Sequence, residues 1–200
     1  MTDDAVLARP DFVPAASDLL RRGGAEIALH LRGRATGAAV LHALACPLRV
    51  AADRSGSLLI VNDRIDVALA CEVHGVHLGE QGIETARARE LVGPGTLIGR
   101  SVHSVEAVRN AEAGTDYLFL GTILGSRSHP EVTPLGPAAL AAAVAVAALP
   151  VLAIGGVRPE TMRDVLAAGG WGAAMISGIW EAADPCEALA QAMAATASVA

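Results

Sequence analysis

The chain has 200 residues, 52% of them hydrophobic and only 2% aromatic, and carries a formal net charge of -6. That length and apolar content suit one well-buried domain, residues 1–200, and an acidic balance with no basic run excludes nucleic acid or an anionic membrane surface as the main partner. Cys46, Cys71 and Cys186 are odd in number, widely spaced and form no CxxC, which argues for reduced thiols in the packing and against a disulfide framework or a structural zinc site.

The opening Met1-Thr-Asp-Asp is acidic and is not followed by an apolar stretch of signal-peptide kind. No segment reaches the ~20 continuous apolar residues of a membrane span. A soluble, cytoplasmic protein is expected. The apolar content comes mainly from Ala, Val, Leu and Ile, the composition of buried parallel strands covered by small-faced helices. Stacking on a substrate ring is limited to Phe12, Tyr117, Phe119, Trp171 and Trp180.

In chain order, residues 4–8 read as a weak first strand, and residues 15–23 as a helix that stops at Gly23-Gly24. Residues 25–30 form a second strand, followed by a helical stretch over 36–52 that Pro47 must kink or divide. Residues 58–62 are the clearest strand so far. Asp63 can cap the next helix, whose apolar face is Ile65, Ala68 and Leu69. A short strand over 75–77, a helix over 84–92 and a strand over 96–100 come next, with Ser104 as a cap and Val105 and Val108 on the buried face. Residues 116–120 are a strand, and the loop from 121 to 136, rich in Ser, Pro and Gly, is long enough to be a functional lid. A helix over 137–148, a strand beginning at Val151, a helix from Pro159, a strand over 172–176 and a helix over 185–196 complete the chain.

Eight strand-helix alternations give one repeat per ~25 residues and an α/β fold, a single-domain (β/α)8 TIM barrel near the lower limit of its size. The alternative is an open doubly wound sheet with one switch-point site. Polar residues after nearly every strand favour the barrel, whose chemistry gathers at one rim.

Two neighbouring strand endings stand out. Val151-Leu-Ala-Ile-Gly-Gly-Val157 and Ala173-Ala-Met-Ile-Ser-Gly-Ile179 each close on glycine or Ser-Gly before a helical pattern, leaving backbone N-H groups free to face a phosphate. The plainer alternative is that Gly155, Gly156 and Gly178 only make tight turns. The other strand ends supply His30, Arg32 and Arg34, then Asn62 and Asp63, His77, Arg100, Ser101 and His103, and Thr122, Arg127, Ser128 and His129. With Ser177, this is an inventory for binding anions. His30 and His77 are equally readable as packed histidines, Asp63 as a cap, His103 as a helix start, and Arg127 and His129 as solvated loop.

Five stretches then carry a resemblance: Leu59-Ile-Val-Asn-Asp-Arg-Ile-Asp66, Gly75-Val-His-Leu-Gly79, Ile98-Gly-Arg-Ser-Val-His-Ser104, Ala153-Ile-Gly-Gly-Val157 and Met175-Ile-Ser-Gly-Ile179. From about residue 16 to 190 the chain resembles the thiamine phosphate synthase and TenI family. The resemblance implies a (β/α)8 barrel and a thiazole phosphate held around Gly155, Gly156, Ser177 and Gly178. It also implies one of two reactions. The synthase joins a pyrimidine methyl diphosphate to the thiazole phosphate, using Mg2+ and basic side chains to stabilise departing pyrophosphate. The tautomerase moves a proton on a thiazole carboxylate phosphate and needs an acid-base group without a metal.

Departures from the pattern direct the choice. Gly82 stands where synthases resemble one another in a second Mg2+ carboxylate beside the one at Asp63. His30, Arg32 and Arg34 replace Gln-x-Arg-x-Lys, and Ser128-His129 replaces a loop Thr-Lys. The stretch through His103 and the Ser-Gly-Ile ending look like the tautomerase branch, although Gly33 and Thr122 occupy its Glu and His positions. The expected function is a thiazole tautomerase without cofactor, with His129 or His103 supplying an imidazole of pKa ~6.5 for proton transfer. The phosphate substrate is bound by His30, Arg32, Arg34, Asn62, Asp63, Ser101, Thr122, Ser128, Gly155, Gly156, Ser177 and Gly178. The alternatives are the synthase, with Mg2+ on Asp63, and a non-catalytic binder of phosphate ligands. The partner is a small-molecule thiazole phosphate, and apolar outer faces on the alanine-rich helices would favour a homodimer.

Overall fold

A computed structural model of the protein describes residues 1–111, 113–125 and 132–197, the last by its backbone alone. Arg127, Ser128 and His129 lie outside the described residues. The chain divides into two compact units, Met1–Ile98 and Gly99–Ala200.

The first unit opens with a helix where a strand is expected. Asp3 accepts the Val6 amide at 2.9 Å through its carboxylate, an N-cap that starts helix α1, Asp4–Leu7. Local capping outweighs the weak strand propensity of this segment, and seven strands are formed among the described residues. Helix α2 is Phe12–Gly23, and a 3-10 turn over Gly24–Glu26 leads to β1, Ala28–Leu31. Helix α3, Ala38–Ser55, runs through Pro47 without division. Its stripe of Leu41, Ala45, Leu48 and Ala52 is buried at helical spacing, and Gly56 ends it with a left-handed φ of 75°. Then come β2 at Leu58–Asn62, α4 at Ile65–Ala70, β3 at Gly75–Leu78 and α5 at Thr85–Val92. Val67 and Ala68 are the buried residues of α4, while Leu69, expected on its apolar face, is 48% exposed.

β1 pairs parallel with β2, Leu29 opposite Leu59, and β2 with β3, Val61 opposite Val76. Leu59, Ile60 and Val61 are each at most 1% exposed, so β2 is covered on both faces, as parallel strands are. Each such side chain contributes ~1.5–3 kcal/mol by leaving water.

The second unit begins within β4, Leu97–Val102, and holds α6 at Val105–Arg109, β5 at Tyr117–Gly121, α7 at Gly136–Val146 and β6 at Val151–Ile154. A 3-10 turn over Pro159–Thr161, α8 at Met162–Ala167, β7 at Gly172–Ala174, α9 at Ser177–Trp180 and α10 at Pro185–Ala197 follow. Ser104 caps α6 as expected, accepting the Ala107 amide at 3.0 Å. β4, β5, β6 and β7 pair in parallel, each with the next. Within each unit the strands follow chain order, without the reversal that a doubly wound sheet requires. Among the described residues the fold is α/β with seven parallel strands, one fewer than the expected eight.

Phe12, Phe119 and Trp180 are buried, and Tyr117 packs edge-on against Phe119 with ring centroids 5.5 Å apart. Among the described residues no helix is long and apolar enough to cross a membrane.

Candidate active site

In the first unit the loop leaving β1 is organised from an unexpected quarter. The Asp4 carboxylate accepts the amides of Arg34 at 2.9 Å and Ala35 at 3.1 Å and the Thr36 hydroxyl at 2.6 Å. These bonds hold its carboxyl below the usual range, the Thr36 hydroxyl most of all. Thr2, fully buried, donates its amide to the His30 carbonyl at 3.0 Å and accepts the Arg32 amide at 2.9 Å. Gly33 is enclosed by the same groups: a Cβ there would stand 2.4 Å from Thr36 Oγ1 and 2.8 Å from Asp4 Oδ1. The loop therefore presents Arg32 and Arg34 with no side chain between them. Burial lowers the Arg32 guanidinium and Arg34 lowers it further, while Asp63 leads the charges that offset them. An arginine stays cationic under such a shift.

The next strand tip carries Asn62 and Asp63. Asp63 does not cap α4, because its backbone turns left-handed, with φ 58°, and its amide donates to the His77 carbonyl at 2.9 Å. That turn aims the carboxylate at the loop after β3, where Oδ1 accepts the Gly79 amide at 2.8 Å. A Cβ on Gly82 would lie 3.6 Å from the same oxygen, so position 82 faces Asp63. Beneath them His30 and His77 are buried and meet edge to face, ring centroids 5.5 Å apart at 64°. Burial, then His77, pushes the His30 imidazole well below its ordinary value, and a hydrogen bond with Asn62 opposes them. His30 is thus a buried neutral partner of Asn62, set behind the tip.

In the second unit Ser101 is the half-buried, next-to-last residue of β4, and His103 follows the strand. His103 Nδ1 donates to the Gly121 carbonyl at 2.6 Å, which ties the imidazole to the end of β5. Thr122 begins the next loop, and there the glycines of the β6 tip have a physical cause. Gly155 and Gly156 have φ of 91° and 67°. A Cβ on Gly155 would meet Thr122 Cα at 2.9 Å, and one on Gly156 the carbonyl oxygens of Gly125 at 2.4 Å and Leu124 at 2.6 Å. Two backbone bonds seal this contact, Ile123 to Ile154 at 2.9 Å and Leu124 to Gly155 at 3.0 Å. Gly178 likewise sits against Val157, its Cβ position 3.1 Å from that carbonyl. The two glycine turns are consequently neighbours. Among the described residues the amides of Gly155, Gly156, Ser177 and Gly178 have no hydrogen-bond partner.

Each unit thus offers a charged or anion-ready tip: Arg32, Arg34 and Asp63 in one, and in the other Ser177 with four amides that have no partner among the described residues. Asp4, Thr2 and Thr36 were not foreseen, although an Asp-Asp pair before apolar residues is a capping signal.

The model of a family described as Thiamine monophosphate synthase matches residues 2–179. The chain belongs to that family. A protein of Chlorobium luteolum named thiamine-phosphate synthase is 39% identical over 92% of this chain and 85% of its own length. A thiamine-phosphate synthase of a Synechococcus species is 42% identical over 70% of this chain, which spans 40% of that longer protein. The solved thiamine phosphate pyrophosphorylase of Pyrococcus furiosus superposes with a TM-score of 0.85, at 30% identity, over 99% of this chain and 94% of its own.

These names overturn the expectation of a thiazole tautomerase. The three departures at Gly82, Arg34 and Ser128-His129 weighed toward that branch, but most of the chain follows the synthases. The geometry agrees at one position: Gly33 occupies the place of the tautomerase glutamate, and the loop leaves it no room for a side chain.

Proposed function

We propose that this protein is a thiamine-phosphate synthase, a transferase that joins a hydroxymethylpyrimidine diphosphate to a thiazole phosphate. The observation that carries this is the 39% identity over 92% of the chain to a relative of that name. In the reaction the bond from the pyrimidine methylene carbon to the diphosphate breaks. Its electron pair leaves on pyrophosphate and the thiazole bonds to the freed carbon. The protein's task is to hold two anions and to stabilise a third as it departs.

Arg32 and Arg34 take the diphosphate, a role suited to the planar guanidinium fork. Asp4 positions them through the loop. Asp63 is the carboxylate for Mg2+, an ion commonly bound through one or two carboxylates together with substrate phosphates and waters. With Gly82 opposite it, Asp63 would hold the ion as a single protein carboxylate. When bound, the ion neutralises charge developing on the leaving group. The amides of Gly155, Gly156, Ser177 and Gly178 and the Ser177 hydroxyl take the thiazole phosphate, as backbone N-H groups at turns do for anions. Ser101, Thr122 and His103 are assigned to the thiazole side, with His103 a hydrogen-bonding wall. Ser128 and His129 stand in the places of the family's Thr-Lys and would donate to pyrophosphate.

The test is formation of thiamine phosphate from the two substrates with Mg2+, and its loss on chelation. Tight binding of the thiazole phosphate with no product would make the chain a non-catalytic binder instead.

A further inference from the structure

In the helical layer of the first unit, three side chains of soft donor type come together from two helices. His42 and Cys46 are four residues apart on α3 and so share one helix face. Cys71 closes α4, its amide donating to the Val67 carbonyl at 3.1 Å and its thiol to the His42 carbonyl at 3.6 Å. Cys46 Sγ stands 3.6 Å from His42 Nε2, and one ligand atom of each residue lies within 4.8 Å of the others. The turn that carries Cys71 is clamped to α3, because Arg49 Nε donates to the Glu72 carbonyl at 2.6 Å. Arg49 also pairs with Asp53, one turn further along the helix.

These spacings approach those of a coordination shell. A tetrahedral ion with bonds of ~2.3 Å to sulfur and ~2.0 Å to nitrogen holds its ligand atoms roughly 3.5–3.8 Å apart. The present cluster needs only small side-chain rotations to reach that. We propose that His42, Cys46 and Cys71 form a binding site for a zinc ion, with one imidazole nitrogen and two thiolates as ligands and water in the fourth position. Two sulfurs and an imidazole favour zinc over magnesium or calcium, whose ligands are oxygens. Exposure is graded in the sense an entering ion requires: Cys71 is buried, Cys46 half-buried and His42 exposed. Binding displaces the two thiol protons to solvent, so charge and atoms balance without any redox partner. Burial, with Cys46 beside it, pushes the free Cys71 thiol up to about 12, which leaves it a poor nucleophile when no ion is present. None of the strand-tip residues takes part. The three cysteines are free thiols, as expected, and a bound ion would act as a clasp between α3 and α4.

The full chain, reduced and freed of metal, is titrated with Co2+ as a spectroscopic probe and then with Zn2+. One ion per chain, thiolate-to-cobalt charge-transfer absorption, its displacement by Zn2+ and a higher melting temperature with Zn2+ are expected. Cys46→Ser and His42→Ala should each weaken binding by more than the ~10–100-fold that loss of an outer-shell partner costs, and Cys186→Ser should leave it unchanged. Cys46 and His42 are not core positions, so these variants keep the test open even where Cys71→Ser fails to fold. Absence of charge-transfer absorption, or its persistence at full strength in Cys46→Ser, would overturn the site. So would a Cys46–Cys71 disulfide in place of metal uptake under the reducing titration.

Discussion

Asp63 Oδ1 accepts the Gly79 amide at 2.8 Å, and the left-handed backbone of Asp63 is what turns the carboxylate toward that loop. One bond thus fixes both the direction of a charge and the mouth of β3. Asp63→Asn keeps an acceptor for Gly79 but removes the charge. The expected result is a fall in kcat on the order of 10²–10³-fold, as for loss of another preorganised electrostatic group, with little change in unfolding midpoint. Parallel kinetics and urea unfolding check it, and a matching loss of stability would reassign Asp63 to structure.

Position 82 faces the same oxygen from 3.6 Å, and nothing in its backbone angle demands glycine. Gly82→Asp supplies a second carboxylate, which should lower the half-saturating Mg2+ concentration by on the order of 10-fold, since ligand charge tunes affinity. Metal dependence of the initial rate and calorimetric Mg2+ titration with pyrophosphate present provide the readout. The Gly79 carbonyl, 3.0 Å from the new Cβ, must give by a few tenths of an ångström.

The β1 loop can be loosened without touching substrate. Asp4→Ala removes the acceptor shared by Arg34, Ala35 and Thr36. The KM for the pyrimidine diphosphate should rise several-fold while kcat holds, because Arg32 and Arg34 remain present but less fixed. Asp4→Asn should restore part of the loss.

His30 gives the protein an acid-sensitive core. Its folded imidazole stays neutral well below its ordinary range, chiefly through burial, whereas in the unfolded chain it protonates near pH ~6.5. The unfolded state therefore binds the extra proton, and stability is full above pH ~6.5 and falls as the pH drops below it, by at most about 1.4 kcal/mol per pH unit. Urea unfolding between pH 7 and 5 should show this slope, and His30→Gln should flatten it.

The sequence made some of this legible and hid the rest for physical reasons. β2 was clear because a buried parallel strand reads as a nearly unbroken apolar run, whereas β3, with His77 in it, gave only a short strand signal. The opening residues misled because four residues of weak strand character were captured by the Asp3 cap, a local bond stronger than propensity. Glycines at 155, 156 and 178 were recognised, yet their cause was not: the contacts of Gly156 with Leu124 and Gly125 bring together segments thirty residues apart. For the same reason Asp4 could not be linked to Arg34, nor Cys71 to His42. Asp63 looked like a cap because nothing in its neighbours announces a left-handed turn. The choice between two branches of the family failed because single motif positions were set against the bulk of the chain.

Gly156→Ala tests the tip that carries the thiazole phosphate. A left-handed alanine costs ~1–2 kcal/mol, and its Cβ 2.4 Å from the Gly125 carbonyl adds a clash with backbone. The unfolding midpoint should fall, and affinity for the thiazole phosphate should fall more steeply than affinity for the pyrimidine diphosphate. Equal losses for both ligands would mean that the turn supports the fold alone.

The central claim is tested most directly in a single turnover of the purified protein with both phosphates and Mg2+, following pyrophosphate and thiamine phosphate together. The expected result is their appearance in equal amounts and at equal rates, with none of either once chelator is added. Pyrophosphate released without thiamine phosphate, or neither product while both substrates are bound, would contradict it.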